Sequence, residues 1–296
     1  MTGVHKAGFV NIIGKPNVGK STLMNRLMGE KISIITSKAQ TTRHRILGIL
    51  NGEDYQIVLS DTPGIIRPAY ELQKSMMQHV RISVEDADIL LLMIEAGEHF
   101  DEEMHGQLLK KAQGKRILII NKIDRFENPD EVEKLTAVWE KTFSWDEIIP
   151  VSALQGTNID QVLPSLLKHL PEHPAYYPKD QLSDKPERFF ASEIIREKIF
   201  QTYRKEVPYS TEVVITEFKE SDDIIRMRAE IYVERNSQKG ILIGKAGSAL
   251  KKVGIEARKD MENFFGKQVH LETFVKVEKD WRSKRQKLTR FGYNFK

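Results

Sequence analysis

Residues 14–21, Gly-Lys-Pro-Asn-Val-Gly-Lys-Ser, constrain the fold of this chain more than any other segment. The apolar run before them, 7–13, predicts a buried strand, and the apolar stripe of 22–28 predicts a helix. A strand, a glycine-bounded loop and a helix are the context in which G-x-x-x-x-G-K-[ST] forms a phosphate-binding loop. The segment therefore predicts a nucleoside triphosphate site rather than a chance glycine loop with a capping serine.

Each residue type in this loop has a physical task. Gly14 and Gly19 allow the backbone to turn sharply and to present N–H groups to phosphate oxygens. Lys20 is expected to reach the β- and γ-phosphates, and the Ser21 hydroxyl to bind Mg²⁺. The predicted nucleotide-binding residues of the loop are Gly14, Lys15, Pro16, Asn17, Val18, Gly19, Lys20, Ser21 and Thr22.

A polar loop at 38–45 follows the first helix and precedes a predicted strand at 46–50. A threonine in such a loop can close over Mg²⁺ and the γ-phosphate, which orders the loop in the triphosphate state. Thr41 and Thr42 are both candidates, and we choose Thr42 because it lies nearer the strand that anchors the loop.

The next predicted strand, 55–60, runs into Asp61-Thr62-Pro63-Gly64. An aspartate at the end of a strand suits the water-mediated Mg²⁺ contact of a Walker-B site, and the Gly64 N–H suits the γ-phosphate. Ser21, Thr42 and Asp61 are thus the predicted metal ligands, and Lys20, Thr42 and Gly64 the predicted catalytic groups. Ile65 follows, where some small GTPases place a glutamine that orients the attacking water. The water is then positioned by another route, or intrinsic hydrolysis is slow.

Two continuous apolar runs, 88–95 and 116–120, predict parallel strands that are buried on both faces. The second run leads into Asn121-Lys122-Ile123-Asp124. The Asp124 carboxylate can accept both N1–H and N2–H₂ of guanine, a donor pair that adenine lacks, and this selects GTP over ATP. Asn121 is expected to contact the ring edge and to hold loops together, and the Lys122 stem to pack on the base.

The last predicted strand of the first half, 147–151, ends at Ser152-Ala153-Leu154. These three residues are predicted nucleotide contacts, with the Ala153 N–H directed to guanine O6. Helical patterns separate the strands around 71–84, 101–112, 130–143 and 158–169. The alternation predicts an α/β fold whose mostly parallel sheet has helices on both faces and binds its ligand at the carboxyl ends of the strands.

The two halves of the chain differ in charge. Residues 1–180 carry 21 Lys and Arg against 24 Asp and Glu, a net of −3, whereas 181–296 carry 25 against 18, a net of +7. A basic half joined to a near-neutral half suggests a polyanionic partner, nucleic acid first and an acidic membrane surface second. The predicted organisation is a GTPase domain at 1–172, a proline-rich linker at 173–186 and a second domain at 187–296.

The second half has the element order helix, two strands, helix, G-x-x-G turn, helix, strand, with the turn at 244–247. This order resembles a KH domain of the helix-first topology, an α+β fold in which the G-x-x-G loop clamps about four single-stranded nucleotides. The alternative is a simple helix cap. The predicted RNA-binding residues are Ile243, Gly244, Lys245, Ala246, Gly247, Lys251, Lys252, Lys284 and Arg285.

The tail at 279–290 predicts a basic helix. It either widens the RNA surface or touches anionic lipid, or it is a solvated terminal helix with Trp281 and Leu288 packed inward, and the sequence leaves both interpretations open.

The motifs at 14–21, 40–45, 61–64 and 121–124, followed by a helix-first KH domain, together resemble the Era-like family of bacterial GTPases over essentially the whole chain. Segments 191–198 and 254–260 extend the resemblance. It implies binding of GTP and GDP, of 16S rRNA near its 3′ end and of the small ribosomal subunit, whose assembly such proteins assist. It also implies Mg²⁺ as cofactor and peripheral contact with the anionic inner face of the cell membrane.

Within this family the residue after D-x-x-G is apolar, in agreement with Ile65, and some relatives use the loop asparagine to hold K⁺. The resemblance therefore makes Asn17 a candidate K⁺ ligand.

Composition favours one cellular location. The chain has no cysteine, no run of about 18 apolar residues and no charged-then-apolar leader, which together favour the cytoplasm. We expect a monomer. Two rival functions remain at this point: an RNA-binding scaffold whose nucleotide site serves stability alone, and a membrane-associated cell-cycle switch with slow or negligible turnover.

Overall fold

The computed structural model describes residues 4–293, which form two compact units. The first unit takes in the described residues through Ser33 together with Thr42–Arg67 and Met76–Asp184. The second takes in Ile34–Thr41, Pro68–Ser75 and the described residues from Lys185 onward.

The first unit is built on a six-stranded sheet with the order β2-β3-β1-β4-β5-β6. Its strands are β1 (Lys6–Ile13), β2 (Ile46–Asn51), β3 (Tyr55–Asp61), β4 (Ile89–Glu95), β5 (Lys115–Asn121) and β6 (Glu147–Pro150). Only the β2–β3 pair is antiparallel, so the expected mostly parallel sheet is confirmed. The central strand β4 is buried along Ile89–Ile94, which explains its continuous apolar sequence.

Helices separate most of these strands, as the alternation predicts, although β3 follows β2 directly. They are α1 (Lys20–Met28), α2 (Glu71–Glu85), α3 (Gln107–Leu109), α4 (Pro129–Glu140) and α5 (Ile159–His169), with α2 divided between the two units. The helix expected at 101–112 was wrong in form, because a π-helical turn, Glu102–Gly106, replaces its first part. α4 begins where expected, since Asn128 caps it by accepting the Asp130 N–H and Pro129 occupies its first turn.

The predicted linker packs on the first unit as far as Asp184. Tyr176 places its ring 4.9 Å from that of Phe9, and Ile49 N donates to the Leu182 carbonyl at 2.9 Å. Backbone and ring contacts of this kind hold the segment along the sheet rather than leaving it a free tether.

The second unit has the helix-first KH topology that its element order predicts. Its three-stranded sheet comprises β7 (Glu212–Glu220), β8 (Ile224–Val233) and β9 (Gln268–Val277), with β8 antiparallel to β7 and parallel to β9. The helices are α6 (Glu187–Thr202), α7 (Asn236–Ile243), α8 (Ser248–Phe265) and α9 (Arg285–Arg290). Apolar side chains of α6, α8 and the sheet form its core, among them Ile195, Ile199, Ile231, Val253 and Met261.

The tail is less helical than the sequence predicts. Asp280 adopts a left-handed backbone with φ 56°, so a short 3₁₀ turn, Trp281–Ser283, precedes α9. Trp281 is fully buried and donates its indole N–H to the Ser210 carbonyl at 3.0 Å, and Leu288 is also buried. The apolar residues of the tail therefore anchor it, while Lys284, Arg285 and Arg290 remain exposed. In the described part of the chain, no helix has the length and apolarity needed to cross a bilayer.

Candidate nucleotide site

The phosphate-binding loop joins β1 to α1 and requires glycine at both ends. Gly14 has φ 154°, and a Cβ there would overlap the Met93 carbonyl oxygen. Gly19 has φ 112°, and a Cβ there would overlap the Asn121 side chain. The loop therefore lies tightly against the carboxyl ends of β4 and β5.

Lys20 opens α1 with its side chain enclosed by the loop. Its Nζ donates to the carbonyls of Gly14 at 3.1 Å and Lys15 at 2.9 Å. Burial lowers the pKa of Lys20 to about 8, against the charges of Asp61 and Glu98, which raise it. A phosphate group placed inside the loop would supply the negative charge that favours the ammonium form.

Three oxygen-bearing side chains converge beside Lys20. Ser21 Oγ donates to Asp61 Oδ2 at 2.7 Å, and Thr42 Oγ1 donates to the same oxygen at 3.3 Å. The two hydroxyl oxygens lie 3.2 Å apart. Burial raises the pKa of Asp61, whereas hydrogen bonds from Ser21 and Thr42 and the charge of Lys20 lower it. Thr41 points elsewhere, because its hydroxyl donates to the Lys38 carbonyl.

This set fits a hard divalent cation. Asp61 Oδ1 is buried without a hydrogen-bond partner among the described residues, which leaves one carboxylate oxygen for a metal or its water. Hydroxyl and carboxylate oxygens are the ligands that Mg²⁺ prefers. The residues that would hold Mg²⁺ are thus Ser21, Asp61 and Thr42.

The Asp61–Gly64 segment lies against the phosphate-binding loop. Thr62 does not face the loop's interior, because its hydroxyl donates to the Ile12 carbonyl at 2.7 Å. A Cβ on Gly64 would lie 2.7 Å from Pro16 atoms, so only glycine allows this approach. Ile65 is 8% exposed and carries no polar side-chain atom, and its N–H donates to the Gly14 carbonyl at 3.0 Å. A water-orienting side chain is therefore not supplied from position 65.

Asn121 links two loops through both ends of its amide. Its Nδ2 donates to the Val18 carbonyl at 2.6 Å, and its Oδ1 accepts the Ala153 N–H at 2.9 Å. The loop-holding role expected for Asn121 is therefore visible in its contacts. The Ala153 N–H, expected at guanine O6, is donated to this amide instead.

Asp124, the predicted specificity residue, is exposed and follows Lys122, whose backbone is left-handed with φ 66°. Its Oδ1 accepts a hydrogen bond from the Ser152 hydroxyl, which orients the carboxylate. Lys122 pairs with Glu95 through its ammonium group. Leu154, the last predicted contact of this loop, has a side chain that is 67% exposed.

Sequence reasoning missed Arg26, which clamps the same loop from α1. Its Nη2 donates to the Leu154 carbonyl at 2.6 Å and its Nε to the Ala153 carbonyl at 3.2 Å. Nothing in the sequence distinguishes this arginine from an ordinary surface residue of an amphipathic helix.

The remaining predicted loop residues have varied environments. Val18 is buried, and Asn17 is exposed with a left-handed backbone at φ 65°. Thr22 lies in the first turn of α1 and is half-buried.

In the second unit the predicted RNA loop joins α7 to α8. Gly244, Ala246 and Gly247 all have positive φ, of 73°, 49° and 78°. A Cβ on Gly244 would lie 2.6 Å from that of Ala249, so glycine is required where the loop meets α8. Ile243 is half-buried, while the cationic residues are exposed: Lys245, Lys251, Lys252, and in the tail Lys284 and Arg285. Turned backbone with exposed lysines is the kind of surface that a nucleic-acid backbone contacts.

Two protein-family models match the chain. One, described as a 50S ribosome-binding GTPase, matches residues 9–122, and the other, described as a KH domain, matches residues 206–282.

Relatives match over nearly the full length. GTPase Era of Staphylococcus haemolyticus (strain JCSC1435) is 45% identical over 292 residues, covering 98% of this chain and 97% of that protein. The crystal structure of Era in complex with MgGDPNP and nucleotides 1506–1542 of 16S ribosomal RNA is 42% identical, with a TM-score of 0.93, covering 98% of this chain and 100% of the other. A single-site variant of Aquifex aeolicus Era bound to GDP·AlF4⁻ gives a TM-score of 0.94 at 42% identity with the same coverage. Because identity is high and both proteins are covered almost entirely, this chain belongs to the Era family of GTPases.

Proposed function

We propose that this chain is a Mg²⁺-dependent, GTP-hydrolysing switch that binds 16S rRNA near its 3′ end through its KH domain and assists assembly of the small ribosomal subunit. The observation that carries the enzymatic part is the convergence of Ser21, Thr42 and Asp61 beside the buried ammonium of Lys20, with one Asp61 oxygen unpartnered among the described residues. A site serving stability alone would have that oxygen satisfied from within the protein.

In this proposal the backbone of 14–19 and the Lys20 ammonium hold the phosphates. Asp124, oriented by Ser152, accepts the two guanine donors, so ATP binds far more weakly than GTP. Asn121 and Arg26 fix the loops around the base, and the Lys122 stem covers one of its faces. Thr62, Pro63 and Leu154 complete the proposed contacts, the first two by shaping the turn that brings Gly64 to the γ-phosphate.

Hydrolysis requires stabilisation of charge on the transferred phosphoryl group and an oriented water. Mg²⁺ held by Ser21, Thr42 and Asp61 would supply neutralisation of the charge on the phosphate oxygens. Lys20 stabilises the same oxygens, while Thr42 and Gly64 contact the γ-phosphate and lose that contact once it leaves. Because Ile65 offers no polar group, intrinsic turnover is slow. Asn17, exposed at the rim of the loop, is the proposed ligand for an accelerating K⁺.

The RNA-binding part extends to this chain what the Era–16S rRNA complex shows for its own protein. The proposed contacts are Ile243–Gly247, Lys251 and Lys252, with Lys284 and Arg285 as an outer basic surface. The domain limits 1–172, 173–186 and 187–296 belong to the same proposal. So do the monomeric state, a cytoplasmic location and weak peripheral contact of the basic tail with an anionic membrane.

A single experiment tests the function. GTP and ATP turnover are measured in KCl and in NaCl, with and without a single-stranded RNA from the 3′ end of 16S rRNA. We expect the protein to hydrolyse GTP but not ATP, and to hydrolyse GTP faster in KCl than in NaCl. RNA binding should be lost in a Gly244→Asp/Gly247→Asp variant. Absence of GTP turnover in every condition contradicts the enzymatic proposal, and equal rates in Na⁺ and K⁺ remove the role of Asn17.

The GTPase family model that matches this chain is described as a 50S ribosome-binding GTPase. Purified large ribosomal subunits are therefore the competitor in a binding test. Co-sedimentation with small subunits in preference to large ones is the expected result, and the reverse preference contradicts the assignment to the small subunit.

A further inference from the structure

Lys15 lies inside the phosphate-binding loop, yet its side chain is directed at the segment that follows β4. Its Nζ is 3.0 Å from Oε1 of Glu98, whose side chain is only 6% exposed. The Lys15 main chain faces inward, where its carbonyl accepts the Lys20 ammonium at 2.9 Å. One residue therefore connects the proposed phosphate-binding lysine to a buried carboxylate outside the loop.

His105 supports Glu98 from the other side. Its side chain is fully buried, and its Nε2 lies 3.2 Å from the same Oε1. The Asp101 N–H donates to Nδ1 at 3.1 Å, which assigns the proton of the neutral ring to Nε2, facing the carboxylate. The second oxygen, Oε2, accepts the Glu95 N–H at 3.4 Å. Oε1 is thus held by ion-pair contacts with Lys15 and His105, neither of which has hydrogen-bond geometry, and Oε2 by the Glu95 N–H.

Aromatic rings enclose His105 and exclude water from its contact with Glu98. The His105 ring lies 5.6 Å from that of Phe100 and 5.7 Å from that of Trp139, which is 1% exposed. Burial alone would raise the pKa of Glu98, but the contacts with His105 and Lys15 outweigh it and hold this pKa below its ordinary value. The π-helical turn Glu102–Gly106 carries His105, and such turns are uncommon and frequent at functional sites.

We propose that Glu98 and His105 are positioning residues of the nucleotide site, acting through the side chain of Lys15 to hold the phosphate-binding loop in its binding conformation. This inference rests on the proposed GTP-binding function and deepens it, because it makes the Lys15 side chain a support of the loop instead of a phosphate ligand. A loop held in place before binding loses less conformational freedom when the nucleotide arrives. Such a support serves the ground state and the transition state equally, so its loss raises Kd and KM and leaves kcat nearly unchanged.

The test is a double-mutant cycle in the full-length protein with Lys15→Met, Glu98→Gln and the double variant. The readouts are Kd for a fluorescent GDP analogue and kcat and KM for GTP. We expect each single change to weaken GDP binding by roughly tenfold, within the range for groups in direct contact, and the double variant to be no weaker than the weaker single. The proposal is overturned if only Lys15→Met weakens GDP binding, or if the loss of affinity in the double variant equals the product of the losses in the two single variants. Either result would identify Lys15 as a direct phosphate ligand.

Two conservative variants and one control complete the design. His105→Gln keeps an N–H donor toward Glu98, and Lys15→Arg keeps the ion pair, so both should bind GDP within about threefold of the wild type. Glu102→Gln lies on the same π-helical turn but is exposed and pairs with the exposed Lys110, so its Kd should not change. Failure of both conservative variants while circular dichroism shows them folded, or an equal loss in the control, overturns the proposal. GDP binding needs no turnover, so a chain that binds GDP without hydrolysing GTP would contradict the proposed function and leave this test valid.

Discussion

Replacing Asn121 by alanine tests whether one buried amide holds the nucleotide loops together. The side chain is 2% exposed, and its loss leaves the Val18 carbonyl and the Ala153 N–H without their partner. Each buried group left unsatisfied costs about 1–3 kcal/mol, so the free energy of unfolding should fall by roughly 2–6 kcal/mol. Asn121→Asp keeps the bond to Ala153 but places a carboxylate oxygen against the Val18 carbonyl, so it should not restore stability.

The assay is urea unfolding with and without GDP. GDP at 100 times the wild-type Kd stabilises the wild type by about 2.7 kcal/mol. If Asn121→Ala weakens GDP binding tenfold, the same concentration stabilises that variant by only about 1.4 kcal/mol. Asn128→Ala is the matched control, because Asn128 makes one exposed capping bond, to the Asp130 N–H at 3.3 Å. Two quantities are compared between Asn121→Ala and the control: the free energy of unfolding and its increase on addition of GDP. If both differ by less than about 0.5 kcal/mol, which is the size of additivity errors, the reasoning is refuted.

Three further predictions follow from the contacts described. Asp124→Asn should weaken GTP binding by about 3 kcal/mol or more, because the new amide N–H faces the guanine N2–H₂ without an acceptor and the N1–H keeps only a neutral one. The variant should favour xanthosine triphosphate, whose C2 oxygen accepts the new amide N–H; competition binding with both nucleotides measures this, and unchanged GTP preference contradicts it. Trp281→Ala should lower the free energy of unfolding by about 3–5 kcal/mol, because the buried indole and its hydrogen bond to the Ser210 carbonyl are lost. Urea unfolding measures this change, and a value below about 1 kcal/mol would mean that Trp281 does not anchor the tail. The pKa of Glu98 is lower in the folded state than its ordinary 4.5, so the stability that it contributes is fully present above pH 4.5 and is lost as pH falls through the folded pKa. The difference in free energy of unfolding between wild type and Glu98→Gln should therefore shrink between about pH 6 and pH 3. A difference that stays constant over this range contradicts the assignment.

The sequence predicts the fold well because its patterns have direct physical causes. β4 is apolar over its whole length since it is a central parallel strand, and the glycines at 14 and 19 stand where no Cβ fits. The same holds for the second domain, whose element order alone identifies the KH topology. In these places the local sequence and the final packing require the same residue types.

The supporting contacts were not predictable in the same way. Arg26 lies 127 positions from Ala153 in the sequence, and Glu98 and His105 lie 83 and 90 positions from Lys15. No local pattern in the sequence distinguishes these three residues. The π-helical turn that directs His105 inward departs from the regular 3.6-residue period on which the helix prediction for 101–112 rests. The Ala153 N–H has a protein acceptor that only the three-dimensional structure reveals.

The phosphate-binding loop is supported on one side by contacts that need no nucleotide. Asn121 holds the Val18 carbonyl, and Glu98 holds the Lys15 side chain. On its other side, Thr42 reaches the site through hydroxyl contacts with Asp61 at 3.3 Å and Ser21 at 3.2 Å, and Gly64 through packing on Pro16. Substitutions on the supported side should therefore change Kd and KM, because they alter ground state and transition state alike. Substitutions at Thr42 or Gly64 should change kcat, because in the proposed mechanism their contacts depend on the γ-phosphate. The slow intrinsic hydrolysis proposed for this chain would then depend on the second side alone and would be compatible with tight nucleotide binding.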